Sequence, residues 1–255
     1  MRMEDLDPPR EQAGAAESLL HSLRAHGLEW DGDVLWQSQR HEAYDEVLQE
    51  LLEQGLAFRC DCSRAQLREQ GNVYRGHCRK RQLPADQPCA LRVIVEGDTA
   101  ITIDDSLQEP LRQDVAAEVG DFIIKRRDGL HAYQLAVVID DAFQGINQVL
   151  RGSDLYDSTP RQVYLQRLLG LATPRYTHIP VITNSEGQKL SKQTHAPALR
   201  DEDAMDNLRL ALRFLGQAAP PPDCRQLDSL LQFAVDNWQL AQVPGCEGIP
   251  EATLY

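Results

Sequence analysis

Short apolar runs alternate along this chain with stretches of helical period, and that alternation constrains the fold more than any single residue does. Residues 15–26 place Leu19, Leu20 and Leu23 on one side of a helix. Residues 40–54 place Tyr44, Val47, Leu48, Leu51 and Leu52 on one stripe, with Gly55 just past its end. Residues 1–5 and 34–36 read as short strands beside these helices. The pattern predicts an α/β layout. Beyond it lies a β-rich stretch, with strands expected at 91–95, 100–103, 122–125 and 133–139 and a hairpin signalled by Asp128-Gly129. Residues 146–150 form another expected strand. A helix opens at Ser158-Thr159-Pro160 and runs to Gly170, and two more are expected at 202–215 and 227–240.

The apolar run 178–182 reads as one strand. It leads through the turn Asn184-Ser185-Glu186-Gly187 into Lys189-Leu190-Ser191-Lys192. Two ammonium groups three residues apart reach one polyphosphate, and the Ser191 hydroxyl adds a bond. The chain carries a formal charge of -13, so an ATP phosphate tail needs local cations of this kind. Taken alone, the same residues also suit a solvated turn.

Three of the six cysteines, Cys60, Cys62 and Cys78, are clustered, and the others are scattered. With no signal peptide and no apolar run long enough for a membrane span, the cluster favours a metal over a disulfide framework. Three thiolates make most of a tetrahedral zinc site, structural in character; buried free thiols are the alternative. General zinc chemistry names His77 as the fourth ligand. Arg75, Arg79, Lys80 and Arg81 beside the cluster, and Lys125, Arg126 and Arg127 at the hairpin, are candidate phosphate contacts or solvated turns. Glu4, Tyr133 and Arg151 form a third set, since an arginine fork and a tyrosine hydroxyl suit a carboxylate. No Ser/His/Asp or Cys/His arrangement suggests a covalent nucleophile.

In their order, the segments RMEDLDPPR (2–10), Cys60-x-Cys62 with Tyr74 and Cys78, YQLAVVIDD (133–141), VLRGSDL (149–155) and KLSKQ (189–193) resemble the glutamyl-queuosine tRNA(Asp) synthetases. These are paralogues of the class I glutamyl-tRNA synthetase catalytic domain. The resemblance spans nearly the whole chain. It implies ATP-dependent activation of L-glutamate, with Mg2+, and transfer of the glutamyl group to queuosine at the wobble position of tRNA(Asp). It implies glutamate binding by Glu4, Tyr133 and Arg151, and ATP binding by Lys189, Ser191 and Lys192, with Lys192 catalytic. It implies one Zn2+ on Cys60, Cys62, Tyr74 and Cys78, so the family names Tyr74 where general chemistry names His77.

The implied fold is an α/β class I aminoacyl-tRNA synthetase Rossmann-like domain with a zinc-bearing insertion and a helical C-terminal end. Its parts are 1–58 and 131–200 (two halves of the catalytic domain), 59–130 (insertion and β-rich segment) and 201–255 (helices). KLSKQ stands for the family's KMSKS signature. The family's first strand and HIGH signature precede the position of Glu4 and have no counterpart here. The expectation is therefore a missing first strand, unpaired strand edges and a start inside a longer protein. The implied enzyme is a cytoplasmic monomer with no membrane partner. A catalytically dead, zinc-stabilised remnant that binds tRNA or glutamate weakly is the alternative.

Overall fold

The computed structural model describes residues 1–253, except 70, 72, 85, 192, 193 and 195. Among these residues, three parallel strand pairs lie along the chain, and two of them are βαβ units. Strand β1 (Arg2–Met3) leads into helix α1 (Ala15–Ala25) and returns as β2 (Leu35–Trp36), parallel to β1. Helix α2 (His41–Glu53) follows and buries Tyr44, Leu48 and Leu51, three of the five residues of the predicted stripe.

Next come β3 (Ala57–Cys60), the short helix α3 (Arg64–Glu69), β4 (Ala90–Val93), β5 (Ala100–Ile103) and β6 (Leu111–Asp114). The one-turn helix α4 (Val115–Glu118) and β7 (Ile123–Lys125) complete this region. Strands β3, β4 and β7 form an antiparallel sheet, and β5 pairs with β6 as a hairpin. The start of α3 is a reciprocal capping box: Ser63 N–H donates to Gln66 Oε1 at 2.8 Å, and Gln66 N–H to Ser63 Oγ at 3.2 Å.

Helix α5 (Tyr133–Phe143) overturns the strand expected at 133–139. The run is apolar all round because Leu135, Ala136, Val137 and Val138 are all buried, so it has no polar stripe to show a helical period. The Asp128-Gly129 turn is real, with Arg126 N–H bonded to Leu130 O at 2.7 Å, but its second arm pairs only through the single bridge Lys125–His131 before the helix begins.

Strand β8 (Gln148–Gly152), helix α6 (Thr159–Leu168) and β9 (Arg175–Ile179) make the second parallel unit, with Arg151 opposite His178. The run 178–182 is not one strand. Pro180 has no N–H to continue a ladder, so β9 ends before it and β10 (Val181–Thr183) starts after it in a different sheet. Helices α7 (Ala204–Phe214) and α8 (Leu227–Asp236) follow, and β11 (Gly248–Pro250) comes back parallel to β10. Strands β1 and β8 each pair on one side only among the described residues.

One core joins α2, β4, β5, α5 and α6. Within it Asp140 is fully buried and accepts from Gln37 Nε2 (2.8 Å), Arg40 Nε (2.7 Å) and Tyr44 Oη (2.6 Å). A buried carboxylate with every partner supplied is tolerable, whereas removing it orphans three donors. Asp140→Ala is expected to lower unfolding stability by about 3 kcal/mol in urea titration; a loss within ~0.5 kcal/mol would show that the network is not needed.

Candidate functional site: an amino-acid cleft, a lysine turn and a thiol knot

A cleft of about 430 Å³ opens between β1 and β8, and Glu4, Tyr133 and Arg151 all line it. Tyr133 is the first residue of α5, and Arg151 sits on β8, so rigid elements carry both side chains. The guanidinium is fixed on three sides. Its Nη2 donates to Thr159 Oγ1 at 2.8 Å, its Nε to His178 Nε2 at 3.0 Å, and its Nη1 to Tyr133 Oη at 3.4 Å. Because Nε2 accepts from Arg151, the proton of a neutral His178 lies on Nδ1, which faces Asp105 Oδ2 at 2.6 Å.

Both members of that His–Asp pair are fully buried. Burial pulls the His178 pKa below its ordinary value; Asp105 opposes this and the Arg151 charge reinforces it. Burial works to raise the Asp105 pKa, but hydrogen bonds from Gln108 N–H, the His178 ring and Leu107 N–H bring it below the usual carboxylate range.

In the same cleft Arg2 bridges two acids. It donates to Asp141 Oδ1 at 2.7 Å and to Gln144 Oε1 at 3.0 Å, and through Nη2 to Glu4 Oε1 at 2.9 Å. The cleft thus offers Arg151 and a tyrosine hydroxyl together with the carboxylates of Glu4 and Asp141, which Arg2 bridges. That arrangement suits a small zwitterion with a further negative charge.

The lysine turn approaches the same strand. Lys189 Nζ pairs with Asp154 Oδ2 at 2.6 Å, three residues after Arg151. The turn is shaped by Asn184, whose Oδ1 accepts from Glu186 and Gln188 N–H, and by Leu190 N–H to Ile182 O at 2.8 Å. Ser191 N–H is held by Thr194 Oγ1 at 2.8 Å. Lys192 lies outside the described residues.

The three clustered cysteines come together, their sulfurs all within 4.8 Å of one another. Tyr74 Oη lies 3.5 Å from Cys60 Sγ and 3.8 Å from Cys62 Sγ, and accepts Cys78 N–H at 3.0 Å. The His77 ring is outside this group, so the structure sets Tyr74 beside the sulfurs and not the histidine that general zinc chemistry names. Three sulfurs and one oxygen at this spacing fit a tetrahedral zinc, whose bonds to sulfur are about 2.3 Å.

Arg92 stacks on the Tyr74 ring, 4.0 Å from its centroid, and its Nε donates to Cys60 Sγ at 3.4 Å. Burial works to raise the Cys60 pKa, but bonds from Tyr74, Cys62 N–H and Arg92 leave it lowered, while burial and the Cys78 sulfur push Cys62 up to about 11. Gly120 lets the knot close. Its φ is +72°, and a Cβ there would fall 2.1 Å from Tyr74 O.

Several basic residues first read as phosphate contacts are occupied internally. Arg79 forks onto Asp121 (2.7 and 2.5 Å), Arg81 binds Asp61 (2.6 Å), Lys125 binds Asp45 (2.5 Å), and Arg126 binds Asp7 (3.0 Å) and Asp128 (2.5 Å). Arg2, Asp105, Asp141, Thr159 and His178 were not legible as site residues. Asp105 is 73 positions from His178, and no local pattern links them.

Parallel βαβ units, a charged cleft at the strand edge and a lysine turn after β10 fit a class I aminoacyl-tRNA synthetase domain. Residues 1–217 match the family profile of the catalytic domain of class I tRNA synthetases (E and Q), and the chain belongs to that family. It is accordingly a ligase. Its relatives include the glutamyl-Q tRNA(Asp) synthetase of Pseudomonas fluorescens, 48% identical over 255 residues, a match spanning 100% of this chain and 85% of that one. The protein of the same name from Citrobacter koseri is 48% identical over 245 residues, 96% of this chain and 82% of that one. A solved glutamate tRNA ligase from Elizabethkingia meningosepticum shares the fold, with a TM-score of 0.74 at 21% identity over 98% of this chain and 59% of its own.

The buried histidine gives a signed pH dependence. In the unfolded chain His178 titrates near 6.5, and in the folded chain lower. Below 6.5 the unfolded state therefore binds the extra proton first. Its contribution to stability is complete above that pH and declines as the pH falls toward the folded value. Urea titrations between about pH 5 and 8 should show this slope in the wild type and a flatter one in His178→Gln; equal slopes would remove His178 as its source.

Proposed function

We propose that the chain activates L-glutamate with ATP as glutamyl-adenylate and transfers the glutamyl group to queuosine at the wobble position of tRNA(Asp). The observation that carries this reading is the cleft that joins Glu4, Tyr133 and Arg151. It agrees with the names of relatives that match the chain from end to end. Arg151, already oriented by His178 and Thr159, takes a carboxylate of glutamate with help from Tyr133. Glu4 takes the ammonium group. The other carboxylate attacks the α-phosphorus, the bond to pyrophosphate breaks, and charge spreads over the phosphoryl oxygens. Lys189, Ser191 and Lys192 meet that charge, with Mg2+ as the ATP counter-ion. Lys189 exchanges Asp154 for phosphate when ATP binds. No covalent enzyme intermediate is needed.

Cys60, Cys62, Tyr74 and Cys78 would hold one zinc ion, which staples a segment with few large apolar residues and takes no part in the chemistry. The protein acts as a cytoplasmic monomer. A second reading, a zinc-stabilised domain that binds glutamate or tRNA without activating the amino acid, is favoured by the single-sided pairing of β1 and β8 beside the cleft.

Glutamate-dependent ATP–pyrophosphate exchange separates the two. The assay should use this chain and a version extended upstream in its gene. Exchange in either supports activation; silence in both, with folding confirmed by circular dichroism, supports the second reading. In the active form Lys192→Ala should slow exchange tenfold or more, about 1.4 kcal/mol in the barrier. Arg151→Gln should raise the KM for glutamate by about 10- to 100-fold, the value of a hydrogen-bonded charge. An unchanged rate or KM removes that residue from its role. Chelator competition should show Tyr74→Phe losing zinc more readily than His77→Ala; the reverse order returns the fourth ligand to His77.

A further inference from the structure

Arg92 on β4 is a buried cation, and among the described residues no carboxylate pairs with it. A desolvated guanidinium is costly unless something negative meets it. Its contacts lead to the thiol knot. The register of the sheet sets Cys60 of β3 opposite Ala90 and Phe58 opposite Arg92, so Arg92 stands diagonally across from Cys60 on the same face. From there its Nε donates to Cys60 Sγ at 3.4 Å, and the guanidinium carbon lies 4.0 Å from the centre of the Tyr74 ring. Nη1 donates to Asp121 O at 2.7 Å, a backbone bond that orients the fork toward the sulfur and the ring.

The knot has the opposite need. Three thiolates and a tyrosinate outweigh a Zn2+ by two negative charges, whereas three thiolates and a neutral imidazole outweigh it by one. Cys60, Cys78 and Tyr74 are buried, so water supplies little of the balance. The other cation bonded to the sulfurs among the described residues is Arg81, whose Nη1 lies 3.7 Å from Cys78 Sγ. It is exposed and spent on Asp61 at 2.6 Å, and Asp61 itself lies 3.7 Å from the same sulfur. That pair brings no net charge to the knot.

We infer that Arg92 is the built-in counter-charge of the metal knot, and that its charge is what lets a tyrosine serve as the fourth ligand where a histidine would leave the site less negative. The guanidinium cannot itself ligate a metal, having no acceptor. It acts through the ligands, on Cys60 by a charge-assisted hydrogen bond and on Tyr74 through the face of the ring. The acid-free cation and the anion-rich knot thus answer one another. This inference rests on the zinc reading given above.

The test measures Zn2+ affinity of the whole chain by chelator competition in the wild type, Arg92→Gln, Tyr74→His and the double variant. Arg92→Gln should weaken zinc binding by about 10- to 100-fold, the usual effect of losing a partner of a metal ligand. In the Tyr74→His background, where the ligands carry one negative charge fewer, the same change should cost several-fold less. A role in packing alone would lose the same factor in both backgrounds. That result, or undiminished affinity in Arg92→Gln, overturns the inference and leaves the zinc reading in place. A wild type that holds no zinc overturns both. A second measurement needs no variant and keeps the test decisive if Arg92→Gln does not fold. In isotope-labelled wild type the Arg92 Nε–H resonance should shift on addition of Zn2+ and exchange more slowly with solvent, because the sulfur it bonds becomes a metal-bound thiolate. A resonance that does neither overturns the inference. None of these readouts needs glutamate activation, so loss of that activity and loss of this role are told apart.

Discussion

The carboxylate of Asp105 ties the loop after β5 to His178, and the geometry of the cleft depends on it. It receives the backbone N–H of Leu107 (2.9 Å), Gln108 (3.0 Å) and His178, and the His178 ring. From the same loop Ser106 N–H bonds to Tyr176 O at 3.1 Å, and Gln108 Nε2 reaches both His178 O (2.7 Å) and Cys246 O (3.1 Å). The loop after β5 is therefore bolted to β9 and to the segment leading into β11. The result is felt one residue away. With the imidazole tautomer fixed, Nε2 can only accept, and Arg151 Nε has its partner in place before a ligand arrives. Orientation that precedes binding is what makes a charged side chain effective on a substrate carboxylate.

An acidic chain imposes a second condition. With 39 acidic against 26 basic residues, its field repels phosphate unless cations are left without a local acid. Most are not left so. Arg40 serves Asp140, Arg2 serves Asp141 and Glu4, and Arg79 serves Asp121 in the interior. A run of basic letters is thus a poor guide to phosphate contacts in this protein. Arg79 and Arg81 lie in such a run and are spent on Asp121 and Asp61, whereas Arg161, isolated in a helix, has no acid partner among the described residues. What matters is whether the fold brings a carboxylate to each guanidinium, and that is a property of tertiary contacts.

Much of the fold was legible because its signals are local. The α2 stripe, the Ser63 capping box, Pro160 in the first turn of α6 and the cysteine spacing each act within a few residues. The cleft was legible as a set of residues, Glu4, Tyr133 and Arg151, through the family resemblance and not through spacing. What failed was decided at long range. Strand β11 and the hairpin arm β6 are half-exposed or short and carry little pattern. The break at Pro180 is a local rule that the apolar letters on either side concealed. The Asp105–His178–Arg151 chain joins positions far apart in sequence and has no signature shorter than the fold itself.

Helix α5 shows why secondary structure had to be right before the site could be understood. Tyr133, Val137, Asp141 and Gln144 all line the cleft, at steps of four, four and three, the spacing of one helical face. A strand would instead have grouped Tyr133 with Leu135 and Ile139, and Leu135 is fully buried in the core. Another face of the helix sends Asp140 to Arg40, just before α2, and to Tyr44 within it. One short apolar helix thus carries a cleft hydroxyl, the acid that positions Arg2 and the buried anchor of the core. The buried Leu135, Ala136, Val137 and Val138 anchor its inner face in the core, so Tyr133 and Asp141 are held rigidly toward the cleft while Asp140 stays buried.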